Sequence, residues 1–304
     1  MKFRKFISKD RIVILVAFVA LGLSGLFLGM NLPKITGKIQ ERVEAKQAEK
    51  EKEELQRLAE AVLPKEGFTL PVSWGDLGPK LISLGVIDKA KFETAVALTD
   101  EQRQILEGEG DNPIRIDGAS GQFVVDLLWA IGLAQKSIVY DQGPLGTQYK
   151  NEQGNFASTG GWSLAKGDAV VYLNKFDLIP LTDEQQERVG EIAKNVYRPC
   201  CGNSTWFPDC NHGMAALAAI ELMVSKGLPD EEIYKNVLKL NSFWFPDTYL
   251  TAAVYFSKQG NTWENVDAKE VLGESISSYS GATDIAKKVG PLPFNEVIGG
   301  SCGA

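Results

Sequence analysis

The chain has 304 residues, 32 Lys plus Arg against 39 Asp plus Glu, a net charge of −7 and 44% hydrophobic residues, enough apolar material for one large or two ordinary folded domains. The charge is unevenly placed: residues 1–11 hold Lys2, Arg4, Lys5, Lys9 and Arg11 against Asp10 alone, leaving 27 basic and 38 acidic residues (net −11) in the remainder. An acidic body lacks the basic stripe that phosphate-backbone binding requires, which excludes nucleic acid as the expected partner.

Ile12 to Met30 is a run of nineteen residues without a charge. As a helix it spans about 28 Å, close to the hydrocarbon thickness of a bilayer. It exceeds a usual signal-peptide core and is followed by no small-x-small cleavage site, so it reads as an uncleaved anchor, and the basic cluster before it belongs on the cytoplasmic side. The expected organisation is a cytoplasmic basic tail (1–11), a single-pass transmembrane signal anchor (12–32), a charged helical stalk (33–64) and an extracytoplasmic helical domain (65–304).

Within the stalk, Gly37 to Val62 is rich in Ala, Glu, Lys and Gln and free of interior Pro and Gly, a composition of strong helix formers. Ile39 and Val43 share a face, as do Leu55, Leu58, Ala59 and Val62. No apolar stripe joins the two groups, so a solvated spacer is favoured over a sustained coiled coil, with self-association or a protein partner as the other use of the segment.

The body is read as mainly α. Residues 76–85 and 88–97 suggest short helices. Leu-Thr-Asp-Glu-Gln occurs at 98–102 and again at 181–185, each placing Thr three residues before Gln as a capping box. Gln122 to Ala134 predicts a buried helix with Val125, Leu128, Trp129 and Leu133 inward. The Gly-, Asn-, Ser- and Thr-rich stretch from Asp141 to Gly167 predicts a functional or ordered surface loop, Ala169 to Leu173 a short strand, and Glu184 to Tyr197 a further helix. Asn203-Ser-Thr-Trp-Phe-Pro-Asp209 recurs as Asn241-Ser-Phe-Trp-Phe-Pro-Asp247, matching at six of seven positions. Each copy is expected to be a loop whose Asp caps the next helix, over 212–226 and 248–257. The Trp and Phe of the two copies serve either to anchor each loop on the core or to stack on a ligand. Gly227-Leu-Pro-Asp230 stops one helix and starts another, from Glu231 to Leu240, so a helical hairpin follows the cysteine loop.

Three of the four cysteines and the only histidine fall within thirteen residues: Cys200, Cys201, Cys210 and His212. Three chemistries compete for them. In an oxidising compartment, one of Cys200 and Cys201 would bridge to Cys210 and the other to Cys302, and closing the long loop contributes on the order of 4 kcal/mol in the chain-entropy model. Alternatively Cys200, Cys201, Cys210 and His212, with Cys302 on its Gly-flanked tail, ligate a transition metal, copper or zinc being suited to thiolate-rich sites. In the third reading a cysteine near a helix start and beside His is a nucleophile, making the chain a thiol oxidoreductase or a Cys-His hydrolase. The leading expectation is a membrane-anchored extracytoplasmic metal-binding protein; the alternatives are that enzyme or a disulfide-stapled structural or partner-binding domain.

Two resemblances start from the same cluster. Residues 198–249, with Cys-Cys-Gly-Asn-Ser-Thr-Trp-Phe-Pro-Asp-Cys-Asn-His-Gly-Met-Ala and the later Asn-Ser-Phe-Trp-Phe-Pro-Asp, resemble a family of uncharacterised membrane-anchored bacterial proteins, which implies no activity. Residues 199–240 are similar in layout to the thiol-reductase subunit of cytochrome c maturation: a cysteine motif, a polar loop, a helix, and a turn carrying Asp-Glu-Glu-Ile, here Leu228-Pro-Asp-Glu-Glu-Ile233. That resemblance implies a helical hairpin. Its redox motif is C-x-x-C, and Arg198 stands where the first cysteine would be, so only Cys201 carries over.

Overall fold

A computed structural model describes residues 40–108 and 110–292. The anchor expected over 12–32, the basic tail and Cys302 lie outside the described residues. Among those described, no helix is long and apolar enough to cross a membrane. The chain divides into two compact units, Met1–Gln56 and Arg57–Ala304. The described part of the first is helical and almost wholly exposed, as its charge density dictates.

The second unit is mainly helical, as expected, with a two-stranded sheet that was not. Helix α1 covers residues 40–62. Its last turns bury Leu58 and Val62, the apolar face read from the sequence. Strand β1, Phe68–Gly75, pairs antiparallel with β2, Gly110–Ile116, in the register Phe68↔Ile116 and Thr69↔Arg115. Between the strands lie α2 (Leu77–Leu84), α3 (Lys89–Ala95) and α4 (Asp100–Glu107). Leu70, Val72 and Trp74 of β1 and Ile114 and Ile116 of β2 are buried, so the sheet lays one face on the helices.

Helix α5, Gly121–Ala134, is nearly all buried and packs along α8, Asn211–Ser225. Their crossing depends on glycine. A Cβ on Gly132 would stand 2.2 Å from the Met214 carbonyl oxygen, so the two backbones approach to a distance no side chain permits. Tyr140 of α6, Ile138–Gln142, closes the contact by donating to the Gly132 carbonyl at 2.6 Å and to Met214 Sδ at 2.7 Å.

Both capping boxes form. Thr99 and Thr182 accept from the amides of Gln102 and Gln185, whose side chains bond back to the Thr amides, starting α4 and α7 (Asp183–Lys194). The hairpin also forms: α8 ends before Gly227, whose φ of 74° makes the turn, and α9 runs over Asp230–Trp244. Then come α10 (Pro246–Ser257), α11 (Ala268–Leu272), α12 (Glu274–Ser277) and α13 (Tyr279–Val289).

Three expectations are corrected. Ala169–Tyr172 is a 3-10 turn rather than a strand: Asp168 accepts from the Val170 amide and caps it locally, and among the described residues no strand pairs with it. The second aromatic repeat is no loop. Helix α9 continues through Asn241 to Trp244, and α10 starts at Pro246 with Phe245 at its N-cap, so Asp247 sits inside the first turn. Asp209 is not the cap of α8; Cys210 occupies that position, because the Asp209 carboxylate is held elsewhere.

Candidate metal centre

The cysteine loop is a short closed arch between α7 and α8. Its base is an isolated antiparallel bridge between Tyr197 and Ser204. Thr205 fastens it twice to the Val196 carbonyl, by its amide at 2.8 Å and by its hydroxyl at 3.0 Å. Trp206 donates its amide to Ala193 of α7. On the far side the Cys201 carbonyl accepts from the Tyr279 amide at 2.9 Å. Asn241 of α9 donates to the Tyr197 carbonyl and to Tyr249, and Tyr249 in turn shares a proton with Ser277. Even the first aromatic repeat is tied down: Phe207 stacks on Tyr149 and meets Phe156 edge-on, and the Ser158 amide donates to the Asp209 carbonyl. The 141–167 stretch is thus an ordered loop that buttresses the arch.

Inside it the sulfurs of Cys200, Cys201 and Cys210 all lie within 4.8 Å of one another, a grouping able to hold a metal ion. Cys200 Sγ and Cys210 Sγ are 3.5 Å apart, and all three cysteines are free thiols rather than bridged. Cys200 is exposed and the other two half-buried.

What organises the sulfurs is Arg198. Its side chain is 1% exposed. Nε donates to Cys210 Sγ at 3.0 Å, one terminal nitrogen to the Asn203 carbonyl at 3.1 Å, and the other to the Phe207 carbonyl at 3.1 Å and Asp209 Oδ1 at 2.5 Å. The second oxygen of Asp209 accepts from the Asn203 amide at 2.9 Å. Gly213 makes room for the guanidinium: a Cβ there would stand 2.7 Å from Arg198 Cζ. Burial by itself would push the arginine pKa down, but the electrostatic pull of the sulfur cluster, Cys210 foremost, and of Asp209 raises it instead, so the cation is secure.

Cys210 takes the benefit. Hydrogen bonds from Cys200 and Cys201, then the charge of Arg198 and a hydrogen bond from His212, hold its pKa well below the usual thiol value against the opposing effect of burial. It also stands at the N-cap position of α8, where the helix N-terminus favours negative charge, although its side chain makes no capping hydrogen bond. Cys200 is raised by its contacts with Cys201 and Cys210 and by burial. Of the three sulfurs Cys210 is thus the one whose surroundings most favour the ionised form, while the Cys201 thiol points to the Asn203 carbonyl and Asp209 Oδ1.

His212 stands apart from the three-sulfur group, beside Cys210. It is 7% exposed, its ring lies 4.5 Å from Phe245 and 5.6 Å from Trp244, and its Nε2 is buried without a hydrogen-bond partner among the described residues. The two aromatic repeats therefore do different work: Trp244 and Phe245 of the second wall the imidazole, while Phe207 of the first joins the loop's own cluster. On α5, Asp126 is 4% exposed; burial pushes its pKa up to about 6, against the pull of a Gln122 hydrogen bond and of His212. Neither Arg198 nor Asp126 is marked by sequence spacing. An arginine next to a double cysteine in an acidic chain and an acid inside an apolar helix are the only signals either leaves.

The chain matches no protein-family model, no curated protein and no solved structure.

Proposed function

We propose that the chain binds one soft or borderline transition metal ion, copper(I) or zinc, through the thiolates of Cys200, Cys201 and Cys210. The observation that carries this reading is the convergence of three sulfurs on one point beside a buried cation. Thiolates about 2.3 Å from a tetrahedral ion lie about 3.8 Å from each other, and the 3.5 Å between Cys200 and Cys210 is close to that spacing. The donor set is soft, as copper(I) and zinc prefer. Arg198 offsets part of the charge that three thiolates bring, and its N–H on Cys210 is the outer hydrogen bond that orients a ligand. His212, with its unpartnered Nε2, and Cys302 are the remaining candidates for a fourth donor. With residues 12–32 as anchor, the protein holds or hands on the metal on the extracytoplasmic side.

Competition titration of the full chain with zinc and with copper(I) tests this. One ion per chain is expected, with Cys200→Ser, Cys201→Ser and Cys210→Ser each weakening affinity at least tenfold. Binding that survives all three substitutions overturns it.

One observation favours a second reading. Cys210, its pKa lowered, 3.5 Å from an exposed thiol at Cys200 is the arrangement of a dithiol that exchanges with a disulfide substrate: one sulfur attacks, a thiol leaves, and the second sulfur resolves the mixed disulfide into a Cys200–Cys210 bond, releasing the second thiol. Incubation of metal-free protein with glutathione disulfide, followed by peptide mapping, separates the readings. A Cys200–Cys210 bond formed within seconds supports exchange, and unreacted thiols remove it.

A further inference from the structure

Away from the sulfurs, a cleft of about 310 Å³ is walled by Gln122, Asp126 and Trp129 of α5, Ala95 of α3, Trp162 and Asn211. This is the lower end of the size range of small-molecule sites, roughly 300–1,000 Å³. Its floor carries an anomaly. Asp126 interrupts a helix whose neighbours Val125, Leu127 and Leu128 are all buried apolar residues. Its hydrogen-bond partner among the described residues is Gln122, which donates from Nε2 at 2.9 Å. A neutral amide does not offset the cost of burying a carboxylate, and His212, whose charge favours the ionised acid, makes no hydrogen bond to it among the described residues, so a direct charged partner is still open.

The rest of the wall narrows what that partner is. The ring centroids of Trp129 and Trp162 are 4.9 Å apart. Both indole N–H groups are already used, on the Ser158 carbonyl at 2.6 Å and the Val86 carbonyl at 2.8 Å. What the two rings still offer is apolar area and π-electron density, which attract organic cations. One carboxylate with two neutral amides falls short of the six to eight oxygens that a hard metal ion takes. An anion would meet the Asp126 charge.

We propose that this cleft binds a small organic amine, its ammonium on Asp126 beside the amides of Gln122 and Asn211 and its hydrocarbon body against Trp129 and Trp162. None of the three cysteines lines this cleft, although Asn211 of its wall directly follows Cys210 in the chain.

Calorimetric titration of the full chain with benzylamine, and with benzyl alcohol as its neutral isostere, tests the proposal at neutral pH. Benzylamine is expected to bind about tenfold tighter than the alcohol or better, the worth of one charge-assisted contact. Asp126→Asn, which keeps the shape and the Gln122 contact, is expected to abolish the difference. In nuclear magnetic resonance spectra of the unsubstituted chain, the indole signals of Trp129 and Trp162 are expected to shift with benzylamine, a readout that stands even if Asp126→Asn does not fold. No benzylamine binding, equal affinity for amine and alcohol, unmoved indole signals, or full amine affinity in a folded Asp126→Asn protein each overturns it.

Discussion

The guanidinium of Arg198 has given up nearly all its water and received four protein acceptors in return, one of them the Cys210 sulfur. Removing it leaves Asp209 and the thiolate without their cation, and breaking a buried pair of this kind costs about 3–5 kcal/mol. Arg198→Ala should lower stability by that amount in urea unfolding and raise the Cys210 thiol pKa, followed as thiolate absorbance against pH. Arg198→Lys should recover little, since one ammonium does not span four acceptors. Glu221 makes the opposite kind of prediction. It is fully buried on α8, neither oxygen has a hydrogen bond of good geometry, and although Ser137 is near enough to favour its charge, burial dominates and lifts its pKa from 4.5 to about 8. Between those values the folded chain keeps a proton that the unfolded chain releases, so stability falls as pH rises through that window and levels off above it. Glu221→Gln should remove that component of the pH dependence, measured as unfolding midpoint against pH. At this scale the sequence was half legible. Cys200, Cys201 and Cys210 announce a site by their chemistry alone, whereas Arg198, Asp126 and Glu221 gain their meaning from burial, which follows from packing and not from spacing.

Elements were legible where their signals are local. The Thr99 and Thr182 capping boxes and the Gly227-to-Asp230 turn are complete within a few residues, and all three formed where expected. The sheet was missed for a non-local reason. Leu70, Val72 and Trp74 do alternate, but Pro71 interrupts them, and the partner strand begins Gly-Asp-Asn-Pro some forty residues on, with no strand-like composition of its own. The second aromatic repeat misled because identical residues were given identical structure. In the first copy Asn203 and Asp209 bind each other, whereas in the second Asn241 turns to Tyr197 and Tyr249, and the chain stays helical. The α5–α8 crossing yields a test at its own scale. Gly132→Ala forces a methyl group onto the Met214 carbonyl and should cost about 1–3 kcal/mol, seen as a lower thermal midpoint, with Met214→Leu milder because it leaves the backbone approach intact.

For the whole molecule, the cysteine loop links α7, α8 and the α12–α13 junction through one arch: Trp206 reaches α7, Cys210 begins α8, and the Cys201 carbonyl accepts from the Tyr279 amide. An ion that binds only the folded arch adds stability by mass action, about 2.7 kcal/mol at a hundred times its dissociation constant. A strong chelator should therefore lower the thermal midpoint of metal-loaded protein, and Cys210→Ser should make it insensitive to the chelator.

The convergence of three sulfurs on one ion is most directly examined by X-ray absorption spectroscopy of the zinc-loaded full chain. The account predicts three sulfur scatterers at about 2.3 Å from the metal, with any fourth donor a nitrogen, an oxygen or a further sulfur. A first shell of nitrogen and oxygen alone, or one containing a single sulfur, would contradict it.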